Sequence, residues 1–187
     1  MSIELGHYAL VLAFALALVQ GTVPLWGAAR NDAAQIAIAP IAALLQLACL
    51  TFVFAVLIYG FVVSDFSVAL VVANSHAAKP LIYRISGVWG NHEGSLVLWV
   101  WILALFGAAV ALRGGNLPAA FRARVLAVHG IIGAGFLAFV LFTSNPFLRL
   151  DPAPLAARGL NPILQDPGLA LHPPMLYLGY VGFATAY

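Results

Sequence analysis

Four stretches of this chain run so long without a charge that only a membrane offers them a solvent. Tyr8 to Ala29 carries none, and neither does Ala33 to Ser64, Ser95 to Leu112 or Val125 to Phe142. A helix needs about 20 apolar residues to cross the hydrocarbon core of a bilayer. The sequence is 64% hydrophobic and 7% charged, whereas soluble domains carry about 25% charged residues. The expected fold is therefore an all-α membrane protein, a polytopic transmembrane helix bundle. It has four full spans plus a truncated fifth, which begins at Pro173-Pro174 and reaches the chain's last residue, Tyr187, in mid-hydrocarbon. Pro40 suggests a helix start inside the second run, and Trp99 and Trp101 read as interfacial anchors of the third. No signal peptide is expected, because the only charge ahead of the first run is Glu4.

Charge placement gives an orientation. The short connections Arg30–Asp32 and Arg113–Arg124 hold Arg30, Arg113, Arg122 and Arg124 against Asp32. The long loops, about 64–94 and 143–172, hold Lys79, Arg84, Arg149 and Arg158 against Asp65, Glu93, Asp151 and Asp166. Positive density is higher in the short connections, so these face the cytoplasm. The N-terminus and both long loops are then outside, on one side of a single membrane domain spanning residues 1–187. The two loops can meet over the bundle.

The long loops carry the polar chemistry. Asn74 to Ser95 is an aromatic and polar island containing His76 and His92, and the second loop leads into Leu171-His172-Pro173-Pro174. A residue before proline avoids the α region. His172 is thus expected to be extended, presented at the mouth of the fifth span. There it serves either as an iron ligand or proton carrier, or as a cap at headgroup level. His92 has Asn91 and Glu93 as candidate hydrogen-bond partners and Trp89 as a flat apolar neighbour. Its alternative is an interfacial turn with Ser95 as N-cap. His76 reads as structural, His7 as an interfacial anchor, and His129 as a packing or snorkelling residue near the inner end of the fourth run. Cys49 stands alone, which excludes an intrachain disulfide and a C-x-x-C motif. No basic run suggests nucleic acid, and no helical zinc, Walker A, G-x-S-x-G or G-x-G-x-x-G pattern is present.

Over essentially its whole length the sequence resembles the CcmF/NrfE family of cytochrome c haem lyase subunits. The resemblance rests on Glu4-Leu5-Gly6-His7-Tyr8-Ala9-Leu10, on Tyr83 to Ser95 with its Gly87-Val88-Trp89-Gly90-Asn91-His92-Glu93-Gly94-Ser95, on Ser144-Asn145-Pro146-Phe147, and on Asp166 to Pro174. It implies a multi-pass protein of the bacterial inner membrane with periplasmic functional loops. Such proteins take haem from the chaperone CcmE and, with a CcmH-type thiol subunit, join it to the C-x-x-C-H motif of apocytochrome c. The resemblance makes His172 the first of two periplasmic histidines that hold the incoming haem iron. It gives Trp89 and His92 a part in a haem platform or partner contact, without ligation. The family's tryptophan-rich motif, its second periplasmic histidine and its two histidines for a b-type haem would lie beyond Tyr187. The chain reads as the N-terminal part of a larger cytochrome c assembly domain, inactive alone, and no catalytic residue is assigned.

Four other readings compete. A haem-handling permease of the CcmC kind or a system II cytochrome c synthase of the CcsA kind would want a tryptophan-rich motif here, and none is present. An ion or proton transporter subunit would want acids or lysines within spans, and all six acids lie outside them. A non-catalytic scaffold that binds partners but no haem is the fourth.

Overall fold

The computed structural model describes residues 1–154 and 165–186. Its elements in chain order are α1 (Ser2–Arg30), α2 (Ala33–Ile36), α3 (Ile38–Val63), α4 (Ala69–Asn74), α5 (Leu81–Ser86), α6 (His92–Arg113), α7 (Ala119–Phe142) and α8 (Pro167–Ala186). Four helical stretches are long and apolar enough to cross a membrane: Ser2–Arg30, Ala33–Val63, His92–Asn116 and Ala119–Phe142. They coincide with the four apolar runs, and the protein is a multi-pass membrane protein. α8 covers the expected fifth span but is not among these four among the described residues.

Local chemistry sets the boundaries. Asn31 ends α1 in the left-handed region, at φ 55°, with the geometry that favours asparagine after a helix. Asp32 then caps α2, its Oδ1 accepting from the backbone N–H groups of Ala34 and Gln35. The helical path therefore resumes at Ala33, ahead of Pro40. Proline is tolerated in a first turn because its missing N–H has no helical partner there.

α1, α3, α6 and α7 close a ring in which each helix packs on the next, and α8 leans on α6 from outside. In membranes, close approach of small residues does much of the work of association. A Cβ on Gly130 of α7 would stand 2.6 Å from the Gly21 nitrogen and 3.0 Å from the Ala17 oxygen of α1, so the two backbones touch. The ring also buries polar groups. Gln20 donates from Nε2 to the Leu126 carbonyl at 2.7 Å, and Gln46 and His129 are 4% and 5% exposed. His129 is thus a core residue well inside α7, not a snorkelling residue near its end. Trp99 and Trp101 are half-buried, each with a stacking partner from a neighbouring helix. Trp99 stacks on Phe136 with ring centroids 4.0 Å apart, and Trp101 stacks on Phe54 at 5.4 Å.

The first long loop and the described start of the second lie at the end where α1 begins, and they do meet. Val68 and Arg149 form an antiparallel bridge, with Ala69 N–H donating to the Leu148 carbonyl and Leu150 N–H to that of Ser67. Arg149 reaches across to Glu4, Ser67 and Asp65. His7 does more than anchor an interface. It stands edge-on to Phe147 at 6.3 Å, beside the Asn145 amide, and so pins the second loop to α1. His76 stays in its loop, its Nδ1 accepting from Ala78 N–H at 3.2 Å. Arg158 lies outside the described residues.

Candidate functional site

The segment Gly87–Ser95 is shaped by one side chain. Asn91 accepts from Gly94 N–H at 2.7 Å through Oδ1 and donates through Nδ2 to the carbonyls of Gly87 and Val88. It is the N-cap of α6 and ties the incoming turn to the first helical turn. Ser95, the cap in the alternative reading of this turn, sits inside the helix. Asn91 is spent on backbone, so it does not serve His92. The exposed His92 ring instead stands edge-on to Phe139 of α7 at 6.0 Å.

Trp89 is fixed on two sides. Its ring stacks on Phe54 of α3, centroids 6.2 Å apart and planes 20° apart. Its Nε1–H donates to the Ala170 carbonyl of α8 at 2.7 Å, across 81 residues of sequence. A second tie joins the same pair of regions: Ser95 Oγ and Tyr177 Oη share a 2.5 Å hydrogen bond. Neither tie is a pattern in sequence, and nothing local in the sequence marks Tyr177 or Phe136 as part of a site.

These residues enclose a cleft of about 440 Å³ between α6, α7 and α8, lined by Trp89, Gly90, Asn91, His92, Ser95, Leu96, Trp99, Phe136, Pro173 and Tyr177. Leu96 and Phe136 also line an adjoining apolar groove with Ile131, Ile132, Gly135 and Phe139. The structure thus brings Trp89 and His92 together at one cleft, walled by stacked aromatics with a few polar groups at its mouth.

His172 is placed differently from expectation. α8 starts at Pro167, with Asp166 accepting from Leu169 N–H at 3.1 Å. An aspartate cap followed by proline at the first helical position is a strong start signal, and it overrides the pre-proline bias at His172. His172, Pro173 and Pro174 are all inside the helix. Ala170, Pro173, Tyr177 and Val181 face the bundle. At 3.6 residues per turn His172 falls on the opposite face. It is exposed there, with exposed Leu169, Met175 and Leu176 as its neighbours one turn away. His172 does not share the cleft with Trp89 and His92. Among the described residues, no group of three or more His, Cys, Asp or Glu side chains is placed to hold a metal ion.

The family model described as Cytochrome C assembly protein matches residues 89–187, from Trp89 through the whole of α6, α7 and α8. The chain belongs to the cytochrome c assembly protein family. It is 59% identical over its full length to the cytochrome c-type biogenesis protein ccl1 of Rhodobacter capsulatus, covering 29% of that protein. It is 58% identical to CycK of Rhizobium meliloti, covering 28%, and 48% identical over 98% of its length to CcmF of Escherichia coli, covering 29%. It therefore spans less than a third of the length of the curated relatives it matches. The solved structure of cytochrome c heme lyase CcmF shares its fold, with a TM-score of 0.86 at 24% identity over 99% of this chain and 29% of that one. For this member of the cytochrome c assembly family, the fold places the Trp89–His92 cleft and the His172 face on either side of α8.

Proposed function

We propose that this chain is the haem-receiving N-terminal part of a CcmF-type haem lyase at the periplasmic face of a bacterial inner membrane. The observation that carries the reading is the outward face of α8. It offers an exposed imidazole, His172, amid exposed Leu169, Met175 and Leu176. A porphyrin needs a directional nitrogen for its iron and apolar surface for its ring, and this face fits both needs. When bound there, haem supplies the vinyl carbons to which the thiols of the C-x-x-C-H motif add, with no oxidant consumed. His172 binds and orients. The apolar side chains around it exclude water from the ring. Held groups react far faster than free ones, by up to ~7–11 kcal/mol of barrier in favourable cases.

Haem would arrive from the chaperone CcmE, with a CcmH-type subunit presenting apocytochrome c. Among the described residues, no histidine in the middle of the four long helices lines a cleft where a resident b-type haem would be held. His129 is packed at 5% exposure and lines none of the described clefts.

The test is haem capture. The full-length protein, purified from cells that also make the chaperone, should carry haem with an imidazole-ligand spectrum. His92→Ala should leave that spectrum in place, because His92 lies across α8 from His172. Absence of captured haem, or loss of the ligand signature in His92→Ala, would overturn the assignment.

Orientation is tested separately. Cysteines at Ala78, an exposed loop residue, and at Asn116, exposed at the opposite end of the bundle, report the two sides. Ala78→Cys should react with a membrane-impermeant thiol reagent in intact spheroplasts, and Asn116→Cys only after lysis. The reverse pattern would place the His172 face in the cytoplasm and end the haem-receiving reading.

A further inference from the structure

We propose that Trp89 is a positioning residue for His172: its indole N–H replaces a helix hydrogen bond that Pro174 cannot make, and so sets the turn of α8 on which His172 stands. The proposal rests on the reading of His172 as the iron-binding imidazole.

In an α-helix the N–H of residue 174 would bond the carbonyl of residue 170. Pro174 has no N–H, so that carbonyl loses its donor. Ala170 is 5% exposed, which leaves water little access to supply one. An unpaired buried carbonyl is costly. Trp89 Nε1–H fills the place at 2.7 Å. Pro173 leaves the Leu169 carbonyl without a donor in the same way, but Leu169 is 43% exposed and its end of the helix is open to the surroundings.

The donor is itself anchored. Trp89 stacks on Phe54, and Phe54 stacks on Trp101, whose Nε1–H donates to Thr51 Oγ1 at 3.0 Å. The helix face carrying Ala170 is thereby registered against α3 and α6. Seven residues on, the Ser95–Tyr177 hydrogen bond registers the same face again. The two ties bracket the proline pair, where a helix is otherwise weakest. His172 stands on the opposite face of that bracketed turn. Rotation or bending there moves its imidazole directly, and ligation of iron by an imidazole nitrogen is directional.

This role differs from that of an aromatic platform, and one substitution separates them. Trp89→Phe keeps a ring on Phe54 and removes the N–H. A platform tolerates the change. A hydrogen-bond donor does not: cytochrome c maturation by the full-length protein should fall on the order of tenfold, with the imidazole-ligand bands of captured haem shifted or weakened. Pro174→Ala restores a backbone N–H for Ala170, so the double variant Trp89→Phe/Pro174→Ala should recover most of the activity and the spectrum. If Trp89→Phe fails to accumulate in membranes, the double variant should restore its abundance as well as its spectrum. Wild-type behaviour of Trp89→Phe, or a double variant no better than the single one, overturns the proposal. A parallel His172→Ala sample separates the two claims. If its captured haem spectrum is unchanged, the iron-ligand reading falls and the positioning role falls with it. If it loses the spectrum while Trp89→Phe keeps it, only the role of Trp89 is wrong.

Discussion

His172→Ala in the full-length protein is expected to abolish cytochrome c maturation while leaving the protein at normal abundance in the membrane. The combination is what gives the experiment its meaning. His172 is exposed on the outer face of α8, so its removal opens no cavity. Alanine is the best helix former, and exposed substitutions of this kind change stability by within about ±0.5 kcal/mol. A loss of function at unchanged abundance then reports chemistry. An imidazole lost from an open face leaves room for a small replacement. His172→Gly with added imidazole should therefore recover part of the activity, against a glycine cost of about 1 kcal/mol in the helix. Pro173→Ala should be milder, because Pro173 faces the cleft and carries no ligand atom. Normal maturation by His172→Ala, measured as covalent haem in a reporter cytochrome, would make His172 a surface residue and remove the basis of the haem-receiving reading.

The membrane spans were legible because their signal is additive: each residue of a charge-free run contributes to hydropathy whatever its neighbours do. The meeting of the two loops was legible as topology, since an even number of spans puts them at one end. The bridge from Val68 to Arg149 that joins them was not. The helix starts differ from expectation where two local rules compete. At α8 the pre-proline bias of His172 lost to Asp166 and Pro167, a cap and first-position pair present in the sequence and stronger than the bias. At α6 the cap is Asn91 and not Ser95, and the choice turned on which residue could also reach the carbonyls of Gly87 and Val88. Trp99 and Trp101 illustrate a different limit. Composition near a span's end marks them as aromatic but does not announce their stacking partners, Phe136 from α7 and Phe54 from α3. The two ties to α8, from Trp89 and from Ser95 of α6, lie beyond local reading altogether. Each joins residues more than 80 positions apart, and neither has a periodicity to betray it. The placing of His172 on the far side of α8 from Trp89 and His92 follows from the helical start at Pro167, so that single boundary also hides the site's geometry.

The largest structural effect is expected from the smallest change, Gly94→Ala. A Cβ there would stand 1.6 Å from the Val88 carbonyl oxygen and 2.8 Å from its carbon. No rotamer relieves this, because both partners are backbone. Something must give, and what lies nearest is the Asn91 cap: Gly94 N–H donates to Asn91 Oδ1 at 2.7 Å, and Asn91 Nδ2 donates back to Val88 at 3.0 Å. Pushing Val88 away breaks both. The first turn of α6 would open, and it carries His92 and Ser95. Trp89, next to Val88, would lose its register on Phe54 and Ala170, so α8 would be freed from both of its ties. Overpacking of a buried site costs ~1–3 kcal/mol and loss of an N-cap ~1 more. The variant should therefore show sharply reduced membrane abundance or a lowered thermal unfolding midpoint, together with loss of maturation. Asn91→Ala, which removes the cap without the clash, should fall between it and the parent. Gly135→Ala is the control. It has nothing within 4 Å of its added carbon, and should be neutral or slightly stabilising in α7. A Gly94→Ala protein as abundant and active as Gly135→Ala would mean that the Val88 turn yields freely, and that the cap, the cleft and the Trp89 tie do not depend on one another as argued.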